Sequence, residues 1–255
     1  MILLCLMFYV EHFLSPNDII MAMKEYSAKK IHGKKVEVNR IELIESVLFA
    51  GLEHEELENL VEAVRPTSVK FKRGDVLWSE GTIVDGIGLL EKGTLFCYRY
   101  HSDGKIQLMR MLVQKDIINI EAAVSRRRTS PTFVTASSHG NYIWFSHKDL
   151  FSNPSISPET VCKIQSNLLS CLASDMIRFM KKSDILSRRT VRERIIMYLD
   201  VVREQQGDEV DIGMNQEELA HFLCVDRSSL SEELNKMRRE GLIDFNKKNF
   251  RLFFD

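Results

Sequence analysis

The chain has 255 residues, of which 44% are hydrophobic and 28% charged, and its formal net charge is −1 at pH 7. This composition fits an intracellular globular protein of one large or two modest domains. The first ten residues are apolar, but Glu11 and His12 interrupt them well short of the roughly 20 residues that a membrane span needs. We therefore expect a cytoplasmic protein with no membrane partner.

The apolar start also lacks the marks of a secretory signal, because no basic segment precedes it and no small-residue cleavage site follows. Residues 1–38 are an N-terminal extension. Within it, the apolar first ten residues either pack as an extra helix or precede a natural start at Met21 or Met23.

The residues that usually carry cofactors do not cluster in this sequence. The five cysteines are scattered and include no CxxC pair, which supports neither a disulfide framework nor a zinc or iron–sulfur site. We expect reduced thiols in apolar surroundings. A lone His101 or His139 is more typical of a surface residue than of a haem ligand. The chain also lacks a P-loop, a dinucleotide fingerprint, a nucleophile elbow and an HExxH motif. We predict no cofactor, no metal site and no enzymatic activity.

The first half of the chain predicts a helix followed by an antiparallel barrel. Residues 41–64 carry apolar side chains at helical spacing around a break at Gly51. Between residues 68 and 145, short apolar runs are separated by glycines at intervals of about ten residues, which is typical of a barrel or sandwich. The clearest hairpin joins residues 94–100 to 105–112 through Asp103-Gly104, a dipeptide that suits a tight turn.

A long helix is predicted next. Ser157 is a cap residue and Pro158 suits the first helical position. The helix runs to about Lys182, before a hinge over residues 182–187, and its apolar stripe is wider than one barrel need cover. A second copy of the helix would bury the remainder in a coiled-coil-like homodimer, whereas packing on its own chain alone is the other reading. The candidate dimer residues are Ile164, Leu168, Leu169, Leu172, Met176 and Phe179.

The C-terminal segment predicts a winged helix-turn-helix. Asn215 is placed to cap a supporting helix and Asp226 a recognition helix, which stops at Gly241. The recognition helix has one apolar stripe, and its polar face is left for base edges. Residues 242–245 and 250–253 read as the strands of a wing. The candidates for DNA contact are Arg227, Ser228, Ser229, Ser231, Glu232, Asn235, Lys247 and Lys248.

Charge supports this assignment only locally. Residues 187–255 are slightly acidic as a whole, which lowers the expected non-specific affinity for DNA. Residues 227–251 carry a basic excess, so the positive field is confined to the reading surface. A solvated charged helix would show similar numbers, and the turn and the wing are what favour DNA binding.

Taken together, the order of helix, barrel, long helix and winged helix-turn-helix resembles the cyclic-AMP receptor protein/fumarate-nitrate regulator (Crp/Fnr) superfamily of bacterial transcription factors. The resemblance covers residues 43–254 and is clearest in four stretches, 71–81, 90–95, 186–194 and 217–231. It implies an α+β fold with a sensor domain at 39–156, a jelly-roll (double-stranded β-helix) barrel like that of cyclic-nucleotide-binding proteins. A dimerisation helix and hinge at 157–186 and a DNA-binding domain at 187–255 follow. The implied partners are double-stranded DNA, a second copy of the chain, an unidentified small-molecule effector and RNA polymerase.

What the resemblance implies for DNA reading is carried over position by position. Arg227 falls where family members use an arginine against guanine. Ser228 replaces a frequent glutamate and Glu232 replaces a second arginine, so we expect a changed half-site in which Glu232 either accepts from cytosine or pairs with Arg227. Cys224 stands where the turn often has glycine, and a positive φ there would carry strain. Ser229 and the wing lysines are expected to contact phosphates.

The resemblance also locates an effector pocket. Cyclic-nucleotide-binding relatives have a Gly-Glu pair followed by an Arg-Ser pair that clamps the cyclic phosphate. Glu121 matches the glutamate, but Ile120 replaces the glycine and Thr129 precedes Ser130 where arginine is expected. Arg128 lies one residue early, and a slip of one residue on a strand points a side chain to the other face. We therefore expect an effector other than cyclic AMP at this pocket.

Two alternatives remain open at this point. The run of arginines at 126–128 either binds another anion or is a solvated loop. The chain as a whole could instead be a cyclic-nucleotide-binding regulatory protein that acts through protein contacts rather than through DNA.

Overall fold

The computed structural model describes residues 46–254. The N-terminal extension and the start of the first predicted helix lie outside the described residues. The described chain divides into two compact units, one of residues 46–105 with 109–173 and the other of residues 106–108 with 174–254. Both helices and antiparallel sheets are present, so the predicted α+β class is confirmed.

The first predicted helix is shorter than its apolar spacing indicated. A 3₁₀ turn covers Val47–Phe49, and helix α1 covers only His54–Val64. Gly51 between them has a φ of 77°, a conformation that interrupts a helix. A reciprocal cap then starts α1, because the Glu53 amide donates to the Glu56 carboxylate at 2.8 Å.

Short antiparallel strands build the barrel. The first four-stranded sheet has the order β1-β8-β3-β6 and the second has the order β2-β7-β4-β5. One apolar cluster takes residues from both sheets, including Leu90 and Tyr142 from the first and Leu95 and Val134 from the second. The predicted jelly-roll barrel is therefore confirmed. The strands are β1 (Thr67–Phe71), β2 (Val76–Trp78), β3 (Gly86–Lys92), β4 (Leu95–Tyr100), β5 (Ile106–Leu112), β6 (Ile117–Ile118), β7 (Phe133–Ala136) and β8 (Gly140–Ser146).

The predicted hairpin is formed by β4 and β5, but its turn is looser than the sequence indicated. The His101 amide donates to the Lys105 carbonyl at 2.9 Å, which closes the loop. Gly104 has a φ of 82°, whereas Asp103 does not have a positive φ. A two-residue turn of the tightest type needs positive φ at both central positions, and the chain forms a longer loop instead.

Three helices complete the region before the DNA-binding segment: α2 (Ile120–Val124), α3 (His147–Phe151) and α4 (Pro158–Leu186). The start of α4 is as predicted, since the Thr160 amide donates to the Ser157 hydroxyl at 3.1 Å. The helix continues past Lys182 to Leu186, so the break in helical structure lies at residues 187–190.

The second unit contains the predicted helix-turn-helix and wing. Its elements are α5 (Val191–Gln206), β9 (Glu209–Asp211), α6 (Gln216–Leu223), α7 (Arg227–Arg239), β10 (Ile243–Asn246) and β11 (Asn249–Leu252). Sequence analysis missed β9, which pairs with β11 and makes the wing a three-stranded sheet of order β10-β11-β9. Among residues 46–254, no helix is both long enough and apolar enough to cross a membrane.

The cysteines are less uniform than predicted. Cys97 is buried, and burial raises the pKa of its thiol to about 12. Cys162 and Cys224, however, are exposed, so the expectation of apolar surroundings is wrong for these two. Their side chains stand on the outer faces of α4 and of the turn after α6. Cys5 lies outside the described residues.

Candidate nucleic-acid interface

The supporting helix α6 is fixed at both ends by local hydrogen bonds. Asn215 accepts from the amides of Glu217 at 2.9 Å and Glu218 at 3.0 Å, as its position predicted. At the other end, Cys224 has a φ of 54°, and its amide donates to the Ala220 carbonyl. This left-handed residue confirms the predicted backbone strain in the turn. The turn delivers the chain directly into the recognition helix α7.

Helix α7 has one buried face and one polar face. Leu230, Leu234 and Met237 are fully buried. Residues 228, 232, 235 and 239 are exposed, and their spacing of three to four residues puts them on one line opposite the buried face. Arg227 and Ser229 are also exposed, whereas Ser231 is half-buried. Asp226 occupies the predicted N-cap position, but its side chain makes no capping hydrogen bond.

The exposed face of α7 that contains residues 228, 232, 235 and 239 is called the reading face. Its side chains carry hydrogen-bond donors and acceptors that have few partners within the described residues. Asn235 uses one amide hydrogen on the Ser231 carbonyl at 2.8 Å, which leaves its oxygen and one hydrogen for a ligand. Within residues 46–254, Arg227 and Glu232 form no ion pair with each other. Pairing with Arg227 was one of the two expected roles of Glu232, and the structure does not support it. Acceptance from a base stays a prediction.

Two basic residues of α7 were missed by sequence reasoning. Lys236 and Arg239 are exposed, and in the described part of the chain neither makes an ion pair. Arg239 lies seven residues after Glu232, which is nearly two full turns and therefore the same side of the helix. The sequence alone shows this seven-residue spacing, so Arg239 could have been predicted from it.

The wing lysines differ in their surroundings. Lys247 lies at the tip with a φ of 56°, and its side chain is exposed. Lys248 forms an ion pair with Asp211 of β9 at 3.3 Å. Strand β9 also supplies Glu209, which pairs with Arg251. The missed strand thus reduces the positive charge of the wing and leaves Lys247 as its more available cation.

The first unit contains a cavity of about 450 Å³ at the predicted effector site. It lies where α2, the following loop and the end of β4 meet. Glu121, Thr129 and Ser130 line it as predicted. Arg128 does not: it is exposed, has a φ of 48°, and is not among the residues that line the cavity. The other lining residues are Glu80, Gly81, Arg99, Ala122, Ser125, Arg126, Arg127 and Pro131.

Ser130, which lines this cavity, belongs to a buried polar cluster. The Ser130 hydroxyl donates to the Thr132 carbonyl at 2.8 Å and approaches the Asn119 side-chain oxygen at 3.2 Å. Asn119 is buried and left-handed, with a φ of 56°, and its side-chain nitrogen has no hydrogen-bond partner among residues 46–254. Because Ser130 is turned inward to these groups, it does not present its hydroxyl freely to a ligand.

Arginines line this cavity from unexpected positions. Arg99 projects from β4, and its terminal nitrogen donates to the Pro131 carbonyl at 3.3 Å. Arg126 and Arg127 line the cavity from the loop after α2. Arg126 and Arg127 are exposed as well as lining the cavity, so an anion site and a solvated loop both remain predictions.

The predicted dimer residues separate into two groups. Ile164 and Leu168 lie buried in the core of the first unit, so the chain's own fold covers them and they are not available to a second copy. Leu172 packs against that core but is half-buried, so its place in a dimer contact stays a prediction. Leu169, Met176 and Phe179 remain exposed. They are joined by two residues that the prediction did not include, Ile177 and Met180. The exposed apolar face of α4 is therefore narrower and lies nearer its C-terminal end than predicted.

A β-barrel joined through a long helix to a winged helix-turn-helix defines the class of DNA-binding transcription regulators that carry a ligand-binding-type domain. The model for the cyclic nucleotide-binding domain matches residues 68–152, and the model for the Crp-like helix-turn-helix domain matches residues 193–253. The chain belongs to the Crp/Fnr family of transcription regulators. The resemblance predicted from the sequence is confirmed.

Solved structures share this fold at low sequence identity. FixK2 from Bradyrhizobium japonicum is 14% identical with a TM-score of 0.62, over 74% of this chain and 93% of that chain. The c-di-GMP-responsive global regulator CLP from Xanthomonas campestris is 14% identical with a TM-score of 0.66, over 80% and 100%. A CRP-family transcriptional regulator from Thermus thermophilus is 22% identical with a TM-score of 0.56, over 72% and 91%. No curated protein sequence matches the chain.

Proposed function

We propose that the chain is a homodimeric, sequence-specific regulator of transcription that responds to a small molecule and carries out no catalysis. Residues 39–156 form the sensor, residues 157–186 the dimerisation helix and hinge, and residues 187–255 the DNA-binding domain. The observation that carries the proposal is the exposed polar face of α7, which follows a left-handed turn and is flanked by a wing. Contact with RNA polymerase stays a prediction, because none of the residues described above is assigned to it.

The proposed DNA contacts fall into two kinds. Arg227, Glu232 and Asn235 read base edges in the major groove, where guanine offers acceptors and cytosine offers an amino donor. Ser228 and Ser231 lie on or beside the same face, and Ser229, Lys247 and Lys248 contact phosphates. With an acceptor at Glu232, the half-site includes a base with a donor at that position. Two recognition helices of a dimer then lie about one helical turn, ~34 Å, apart.

The proposed effector is a small molecule other than cyclic AMP. The support is that Arg128 lies outside the cavity and Ser130 is bonded inward, so the cavity lacks an arginine at the position expected to clamp a cyclic phosphate. Arg99, Arg126 and Arg127 extend the predicted lining. Effector binding would shift the population toward the arrangement in which both recognition helices fit one operator.

Selection from a random duplex library tests the DNA-binding part. Full-length protein is selected at one near-physiological salt concentration without ligand, with cyclic AMP and with c-di-GMP, the ligand class named for the CLP relative. The control changes Ser228, Glu232 and Asn235 together to Ala, which leaves the buried face of α7 intact. We expect a two-fold-related motif with wild type that the control does not enrich. No motif in any of the three arms would contradict a regulator that binds DNA specifically without an effector or with either of these two nucleotides.

Intrinsic fluorescence tests the effector part. The chain's two tryptophans, Trp78 and Trp144, stack in the barrel with ring centroids 5.6 Å apart, so their emission reports on the sensor domain. Cyclic AMP is expected to produce no saturable change. Saturable binding of cyclic AMP without any DNA preference would instead favour the alternative, a cyclic-nucleotide-binding protein that acts through protein contacts.

A further inference from the structure

One side chain outside the reading face, Arg192, forms ion pairs with the recognition helix at two positions. Arg192 lies in the first turn of α5, and its Nε donates to Glu233 at 2.5 Å. Its two terminal nitrogens donate to the two oxygens of Glu240, at 2.7 Å and 3.0 Å. The second contact is a planar two-bond pair, the geometry that fixes direction as well as distance. A single guanidinium therefore joins α5 to the middle and to the C-terminal end of α7.

The spacing of the two glutamates makes this contact sensitive to rotation of α7. Glu233 and Glu240 are seven residues apart, which puts them on the same side of a helix. Neither lies on the exposed line of residues 228, 232, 235 and 239. The two ion pairs of Arg192 therefore hold one side of α7, next to the side that would contact DNA. Any rotation of α7 about its axis would have to break the planar pair between Arg192 and Glu240.

Small rotations would be enough to change base reading. A helix with its side chains has a radius of about 5–6 Å, so a rotation of roughly 20° moves its surface by about 2 Å. A hydrogen bond to a base edge tolerates only a few tenths of an ångström around its preferred length. The apolar face of α7 resists such a rotation through non-directional packing, whereas the ion pairs of Arg192 resist it through directed bonds.

The same contact changes the charge of the recognition helix. Glu233 and Glu240 would otherwise add negative charge beside the phosphate backbone. The Arg192 guanidinium lies against both, and it holds the pKa of Glu240 below its usual range. Within α7 itself, Glu232 is then the acidic side chain without an ion-pair partner among the described residues. Its carboxylate stands out as the acidic feature of the reading face.

We propose that Arg192 is a positioning residue for DNA recognition: by holding Glu233 and Glu240, it sets the rotation of α7 and so the base that each reading-face residue meets. The proposal rests on the proposed function, because it concerns the same DNA-reading helix. It assigns a specificity role to a residue that makes no base contact of its own.

The test compares specific with non-specific binding in Arg192→Met, Arg192→Lys and the double variant Glu233→Gln/Glu240→Gln. The Kd values for the selected operator and for a scrambled duplex are measured at one salt concentration, well below the melting temperature. Lys181→Met is the matched control, because it removes another ion pair, with Glu204 at 2.6 Å, that does not involve α7. Circular dichroism shows whether each variant is folded at the temperature of the measurement.

We expect Arg192→Met to reduce the ratio of the two affinities at least tenfold, and the double glutamine variant to do the same. Arg192→Lys, which keeps the charge but loses the planar pair, should lie between Arg192→Met and wild type. Lys181→Met should keep the wild-type ratio. Reselection with Arg192→Met should give a motif with weakened preference at the base opposite Glu232.

Three results would overturn the proposal. The first is an unchanged ratio in both the methionine and the double glutamine variant: if neither affinity changes, α7 is positioned without Arg192, and if both affinities fall equally, Arg192 acts only as a charge. If wild type prefers no sequence, the proposed function fails first and this proposal fails with it. A wild-type motif that survives in every variant refutes the positioning role alone. If Arg192→Met does not fold, the lysine and glutamine variants decide the question.

Discussion

Replacing Met176 and Met180 by glutamate should convert the proposed dimer to monomers. Both side chains are 60% exposed in the isolated chain, and they lie four residues apart, on one face of α4. Full burial of a methionine is worth about 1.5–3 kcal/mol, so covering the exposed part contributes about 1–2 kcal/mol for each side chain. Two residues in two copies give a loss of about 4–8 kcal/mol. At 1.4 kcal/mol per decade, the dimer Kd should rise by roughly three to six orders of magnitude.

Sedimentation velocity across a concentration series measures this change, and operator binding is measured on the same samples. Ser174→Glu is the matched control: it adds one carboxylate to α4 at an exposed position, about half a turn around the helix from Met176. The control should remain a dimer with normal operator affinity. A double glutamate variant that still sediments as a dimer at micromolar concentration, or a wild type that is monomeric, would refute the assignment of this face.

Three further predictions concern single side chains. Arg227→Ala should weaken operator binding by roughly 1–3 kcal/mol and relax one base position, as measured with single-base variants of the operator; an unchanged base preference would exclude a base contact. Lys247→Ala should make the negative slope of log K against log salt less steep by about one, and Lys248→Ala by less, because Asp211 already pairs with Lys248. Identical slopes for the two variants would contradict this difference. Burial lowers the pKa of Lys182 from 10.5 to about 8, so the unfolded chain binds more protons between these values and folding stability falls as the pH drops through this window. Lys182→Met removes this titration and also the Nζ contacts with the Leu108 carbonyl and the Phe222 ring, so its Tm relative to that of wild type should fall as the pH rises from about 8 to about 10; a Tm difference that does not vary with pH would exclude this cause.

The elements of the DNA-binding domain were predictable because each is specified by residues close together in the chain. Asn215 caps α6 through amides two and three residues away. Leu230, Leu234 and Met237 repeat at helical spacing, and Gly241 ends the helix with a φ of 73°. Local hydrogen bonds and a single periodicity decide these features, so neighbouring residues in the sequence contain the needed information.

The features that sequence reasoning missed depend on pairs distant in the chain. Strand β9 is three residues long and is defined by its pairing with β11, which no local pattern announces. The ion pair of Arg192 with Glu240 joins residues 48 positions apart. The apolar stripe of α4 indicated that this side of the helix would be buried. It did not indicate that the chain's own core would bury Ile164, because that depends on tertiary packing.

The charge distribution of the DNA-binding domain follows from these distant pairs. Many of its acidic residues are paired inside the domain: Glu209 pairs with Arg251, Asp211 with Lys248, Asp244 with Arg238, and Glu233 and Glu240 with Arg192. The charged side chains without an ion-pair partner among the described residues of this surface are a few cations around Glu232. A sparse positive field gives weak non-specific attraction to the phosphate backbone. Under the proposed function, discrimination between sequences then comes mainly from base contacts made at a fixed rotation of α7. A carboxylate in the middle of the reading face is consistent with this balance, because it weakens binding to every duplex except one that offers a donor at that position.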